Sequence, residues 1–150
     1  MLGELLVSKW RQVRLDLLAT IDKFADADLT FRPADGAYCA GELMLHVAHE
    51  EAIEMLWGLA RRFDEMPPAY ELSRYPTAGA IKGVLAEVHA QTLGYVEAID
   101  DAALTSEVTL AWGQEGRPVD MVWHAIEHEI HHRGELSLML GLLGRQGLDA

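Results

Sequence analysis

One cysteine, Cys39, stands in 150 residues. That excludes an intrachain disulfide framework and a thiolate-rich metal cluster, so any metal chemistry must use histidine and carboxylate. Positive charge is also scarce: Lys and Arg number 12 against 24 Asp and Glu, a net −12 with the seven histidines neutral. Such a balance repels phosphate backbones and anionic bilayers, so neither nucleic acid nor membrane is an expected partner. No apolar run approaches the ~20 residues of a bilayer span, and the opening MLGELLVSKWRQVRLDLL is broken by charges rather than built as a signal peptide. The expectation is a soluble, cytoplasmic protein. What the chain has in quantity is apolar residues, 50% against 24% charged. At this length roughly 68–70% of the unfolded surface can be buried, which predicts one domain over residues 1–150 with a real core.

Hydrophobic period sets the fold class. Leu6, Trp10, Val13, Leu17, Ile21 and Phe24 recur at steps of three and four and predict an amphipathic helix ending near Ala25, with Lys9, Arg11, Arg14 and Asp16 on its other faces. Turn formers and Pro33 make the next stretch a loop. A second helix is predicted from about 41 to 63, with Leu43, His46, Val47, Glu50, Ile53 and Trp57 inward and Glu42, Glu51, Glu54, Arg61 and Arg62 on the wet side. Pro67-Pro68 stops it. A third helix runs from about 78 to 99 behind a Thr77 cap, and the last from Pro118 to about 143 before Gly144. Between these two, residues 108–112 alternate like a strand and 113–116 read as a turn, which predicts a short hairpin before the last helix. Four long helices make an all-α, four-helix bundle.

Four of the seven histidines fall within nine residues of the last helix, at His124, His128, His131 and His132. Positions four apart on a helix differ by about 40° in azimuth and about 6 Å in rise, so His128 and His132 can aim both imidazoles at one ion. A catalytic divalent site wants a third protein ligand and an open position. His46, on the inward stripe of helix two, supplies it, with His49 as the fallback. The competing account is a set of hydrogen-bonded core histidines. His124 is a fourth ligand, a substrate-side acid/base or a hydrogen-bond donor to the site; His131 points about 100° from His132, towards solvent, an interface or a salt bridge. Glu50, one turn beyond His46, either orients a metal-bound imidazole and takes a proton from bound water or thiol, or pairs with Arg133 or a histidine.

Arg133 is either an anion handle for a substrate or a partner for the loop between Asp28 and Asp35. Glu127 and Glu129 are expected solvated or paired, and His89 structural or exposed. Gly134 would permit a close helix approach, while Trp57 and Trp112 are core or the walls of a mouth. Cys39 is a small buried residue or a reactive thiol at a helix N-terminus.

The segments ELMLHVAH from Glu42 to His49, LTFRP from Leu29 to Pro33, and above all HEIHHRGEL from His128 to Leu136 resemble the DinB-like (YfiT-like) superfamily. The resemblance extends over nearly the whole chain through the order and spacing of the four helices. It implies an up-down-down-up bundle with a three-histidine divalent metal site, its ligands falling on His46, His128 and His132. It also implies a transferase that uses a low-molecular-weight thiol such as bacillithiol or mycothiol, or an isomerase, and a homodimer. Glu135 departs from the family pattern, where many members carry Gln. Three functions then compete: a metal-dependent thiol S-transferase attacking an electrophile, with Glu50 or His124 managing the proton and Arg133 contributing to cofactor binding; a metal-dependent hydrolase using water; and a non-catalytic metal-binding stress-response protein. Imidazole donors suit several divalent metals, zinc and nickel foremost here.

Overall fold

The computed structural model of the chain describes residues 1–147. Four long helices carry the fold: α1 (Leu2–Ile21), α2 (Ala40–Glu51, continued by a π-helical stretch, Ala52–Leu59), α3 (Ala78–Ala98) and α5 (Pro118–Leu142). A short α4 (Asp101–Thr105) follows α3, capped by the Asp100 carboxylate accepting from Ala103 N. The hairpin is real but small: β1 (Val108–Thr109) pairs antiparallel with β2 (Glu115–Gly116). Its loop is anchored to the bundle where Ala111 N donates to Gly58 O, and a Cβ on Gly58 would lie 2.3 Å from the Trp112 ring. Only glycine fits beneath that indole. No described helix is long and apolar enough to cross a membrane.

The course of the chain follows from which side chains meet. Trp10 and Arg14 reach Glu129, and Asp16 reaches Arg133, so α1 and α5 ascend together. Arg11 meets Glu97 and Lys82 meets Asp22, so α3 descends beside α1. His46 faces His128 while Glu54 faces His124, so α2 descends against α5. The result is up-down-down-up.

Two hydrophobic clusters fill the interior, one around Leu17, Leu43, Met44, Leu85 and Leu136, the other around Trp10, Met55, Val96, Leu104 and Ile126. Between the helices lies a charged network absent from the sequence expectation, which put Arg14 and Glu51 on wet faces. The Arg14 guanidinium, 5% exposed, donates to Glu129 Oε1 at 2.7 Å, Glu51 Oε2 at 2.6 Å and the Leu85 carbonyl at 2.8 Å. Trp10 Nε1 donates to Glu129 Oε2, and His89 Nδ1 lies 3.0 Å from Glu51 Oε1. Glu129 is thus paired as expected, and His89 is structural. Burial pushes the Glu51 pKa up, but Arg14 and His89 outweigh it and hold the carboxyl below its ordinary value.

Several boundaries differ from the periodic reading. Helix α1 ends at Ile21 rather than near Ala25, where Lys23 N and Phe24 N bond back to Thr20 and Ile21 in a tightened turn. Helix α2 stops at Leu59, four residues early, because Arg61 takes a left-handed φ of 54° and Arg62 N turns back to Leu56 O. The π winding from Ala52 breaks the 3.6-residue period, so Met55 and Leu56 turn inward where Ile53 and Trp57 were expected. Gly134 meets no helix; a Cβ there would touch nothing.

Removing one member of a buried ion pair leaves uncompensated charge in the core and costs about 3–5 kcal/mol. Arg14→Met should therefore lower the stability read from urea denaturation by that amount, and a loss under about 1 kcal/mol would mean that Glu51 and Glu129 do not depend on it.

Candidate metal centre

Helices α2 and α5 run antiparallel with His46 at mid-length of one and His128 and His132 one turn apart on the other. Their Nε2 atoms converge: His128 Nε2 lies 3.3 Å from His46 Nε2 and 3.0 Å from His132 Nε2. Three Zn–N bonds of 2.0–2.1 Å at near-tetrahedral angles span about 3.3 Å between nitrogens, so the triad has the dimensions of a three-histidine site. The donors are all imidazole nitrogens on rigid helices. These residues fit a divalent ion of borderline softness.

Neighbouring carboxylates set the orientation of the rings. Glu135 Oε2 lies 2.5 Å from His132 Nδ1, which fixes Nδ1 as the protonated nitrogen and leaves the Nε2 lone pair facing the triad. Glu50 Oε1 stands 3.8 Å from His46 Nδ1, one turn along α2. Tyr38, in the loop before α2, stacks on the His46 ring with centroids 5.0 Å apart. Burial lowers the His46 pKa; burial together with His132 and His46 pushes that of His128 down to about 3.

Other predicted residues stand apart from the triad. His49 Nε2 is 2.9 Å from the Pro67 carbonyl and holds the post-helical loop, so the fallback ligand is not in the cluster. His124 is largely exposed, its ring 6.4 Å from that of His128, and its Nε2 lies 3.1 Å from Glu54 Oε1. His131 is exposed with Glu135 at 3.6 Å. Arg133 donates to Asp16 on α1 at 3.1 Å, not to the loop at 28–35; Asp28 is bound instead by Arg145. Cys39 is buried just ahead of α2, where its N–H donates to Glu42, and burial pushes its thiol pKa up, so it is the small buried residue and not the reactive one. Trp57 and Trp112 pack together at 5.9 Å.

One group was missed. Glu54, assigned to the wet face, is mostly buried; its Oε2 has no hydrogen-bond partner among the described residues, and burial, opposed by His124 and reinforced by Glu50, pushes its pKa up to about 7. The sequence signal was present in the Glu50–Glu54 spacing, which repeats the four-residue step of His46–Glu50. A cavity of about 440 Å³ opens beside the triad, lined by His46, Tyr38, Leu45, Tyr70, Glu42 and Glu71 among others. Across Tyr38 lies a second, of about 250 Å³, walled by Pro33, Leu43, Leu138 and Met139, with Glu135 at its edge.

The bundle course and a histidine triad shared by its second and last long helices define a class, and sequence comparison agrees on it. Residues 9–136 match the model of the DinB superfamily, and the chain belongs to that family. Among solved structures, a DinB-like protein from Bacillus cereus is similar over 97% of this chain and 95% of its own at 17% identity, with a TM-score of 0.79. YfiT from Bacillus subtilis, a probable metal-dependent hydrolase with an unusual four-helix bundle topology, covers 93% of this chain and 87% of its own at 17% identity and a TM-score of 0.62. A variant of the mycothiol-dependent maleylpyruvate isomerase covers 92% of this chain and 65% of its own at 14% identity, TM-score 0.63. No curated protein sequence matches the chain.

A pH dependence follows for the metal-free protein. The native state keeps His128 neutral down to about pH 3, whereas the unfolded chain protonates it near 6.5. Between those values the unfolded state binds more protons, so stability falls as pH drops from about 6.5. Urea midpoints of metal-free protein between pH 7 and 5 should decline less steeply in His128→Gln; equal slopes in the two proteins would contradict the assignment.

Proposed function

We propose that the chain is a metal-dependent enzyme acting on a small molecule, using a low-molecular-weight thiol of the bacillithiol or mycothiol type to attack an electrophilic carbon. The observation that carries this reading is that His46 belongs both to the triad and to the wall of an open cavity of about 440 Å³. A purely structural site closes its coordination with protein ligands and needs no such opening. A divalent ion held by His46, His128 and His132, zinc or nickel foremost, would supply the positive charge that makes a thiol or a water acidic at neutral pH.

The chain's own groups then do the following. Glu135 holds His132 in the tautomer that keeps Nε2 free for the site. Glu50, partly exposed and one turn from His46, accepts the proton released from sulfur. As the sulfur–carbon bond forms, the leaving group departs with the electron pair of the bond it held, and Glu50 returns the proton to it. His124, paired with Glu54 and open to solvent, is the alternative acceptor for the thiol proton. Arg133 is engaged by Asp16, so a role in cofactor binding would require that pair to open.

Hydrolysis is the second reading, favoured by one observation: among the described residues no Lys or Arg lines the cavity, which suits an uncharged nucleophile such as water. The assay follows loss of free thiol against an epoxide or an activated haloarene with metal-loaded protein. Glu50→Gln should lower kcat by roughly 10²–10⁴-fold with metal content unchanged. Ester cleavage without thiol consumption would replace the first reading by the second, and no turnover of either kind would contradict both.

A further inference from the structure

The two cavities on either side of Tyr38 share an electrostatic character. The larger presents the carboxylates Glu42 and Glu71, the smaller presents Glu135, and among the described residues no Lys or Arg lines either. Glu50 stands beside His46 as a further negative group. Three nearby arginines are already engaged: Arg32 donates to both oxygens of Glu42 at 2.9 and 3.1 Å, Arg74 lies 3.8 Å from Glu71, and Arg133 is bound by Asp16. The remaining walls are aromatic and aliphatic, with Tyr38 and Tyr70 offering ring faces that attract cations. The chain as a whole carries −12, so the long-range field acts in the same direction as the local groups.

We infer that the molecule taken by this site is neutral or cationic, with an uncharged or ammonium-bearing body, and that carboxylate- or phosphate-bearing thiols are rejected. The inference rests on the thiol reading above and narrows it. A divalent ion in the triad offsets the charge of one sulfur and of the adjacent Glu50 or Glu135. Arg32 and Arg74 are already taken up by Glu42 and Glu71, so no cation in these walls is left to balance an additional anionic group. A neutral body can hydrogen-bond to the exposed Glu71 carboxylate, and an ammonium can pair with it or lie on the Tyr38 and Tyr70 ring faces.

The test loads the protein with Co(II) and titrates three thiols of similar size: N-acetylcysteine (anionic), N-acetylcysteine amide (neutral) and cysteamine (cationic). The readout is the near-ultraviolet charge-transfer absorption that a sulfur donor gives with Co(II), with dissociation constants corrected for each thiol's ionised fraction. The neutral and cationic thiols should bind at least about tenfold more tightly than the anionic one, and the gap should narrow as salt is raised. Glu71 is exposed and outside the triad, so Glu71→Lys should keep its Co(II) and bind N-acetylcysteine several-fold more tightly. Equal or tighter binding of N-acetylcysteine by the unmodified chain overturns the inference alone. Absence of the absorption with all three thiols, Co(II) remaining bound, overturns the thiol reading and this inference together.

Discussion

A guanidinium buried between two carboxylates fixes how the helices of this bundle face one another. Arg14 of α1 binds Glu51 of α2 and Glu129 of α5, and Glu51 in turn meets His89 of α3. Apolar contacts alone tolerate rotation and sliding of packed helices, whereas a buried, hydrogen-bonded charge network has one register. Glu129 is the sequence neighbour of His128, and Glu51 sits five residues beyond His46. The rotation that lets these carboxylates reach Arg14 is therefore the one that turns His46 towards His128 and His132. Structural ionic core and candidate metal centre are two levels of a single α2–α5 interface.

The centre combines rigidity with access. Two of its histidines stand one turn apart on α5, the third comes from an antiparallel helix, and Glu135 fixes a ring from outside. Tyr38 contributes from a loop, the element type that varies most easily, and lines both cavities, the larger of which His46 also lines. Geometry of this kind would serve several chemistries with one set of histidines, and the walls rather than the histidines would decide which molecule is taken. Here those walls are acidic and aromatic.

Much of this was legible in the sequence, for definable reasons. Helix period located the four long elements, and the His-x3-His spacing with an inward His46 located the triad, because a helix converts spacing directly into azimuth. The polar interior was not legible. A charged residue defaults to solvent unless its partner is known, and the partners of Arg14 lie 37 and 115 positions away. Glu54 was hidden for a second reason: the π winding of residues 52–59 breaks the angular rule that assigns faces. Arg133 illustrates the same limit: the expected partners were a substrate anion or the loop at 28–35, and the actual one, Asp16, lies 117 positions away.

The central claim is that one divalent ion is shared between α2 and α5 through three histidines. Metal bound per chain after reconstitution and desalting, measured by plasma mass spectrometry on untagged protein, addresses it directly in the unmodified chain and in His46→Ala. The account predicts close to one equivalent in the first and loss of most of it in the second, with helical content retained. Undiminished metal in His46→Ala, or none in the unmodified chain, would contradict it.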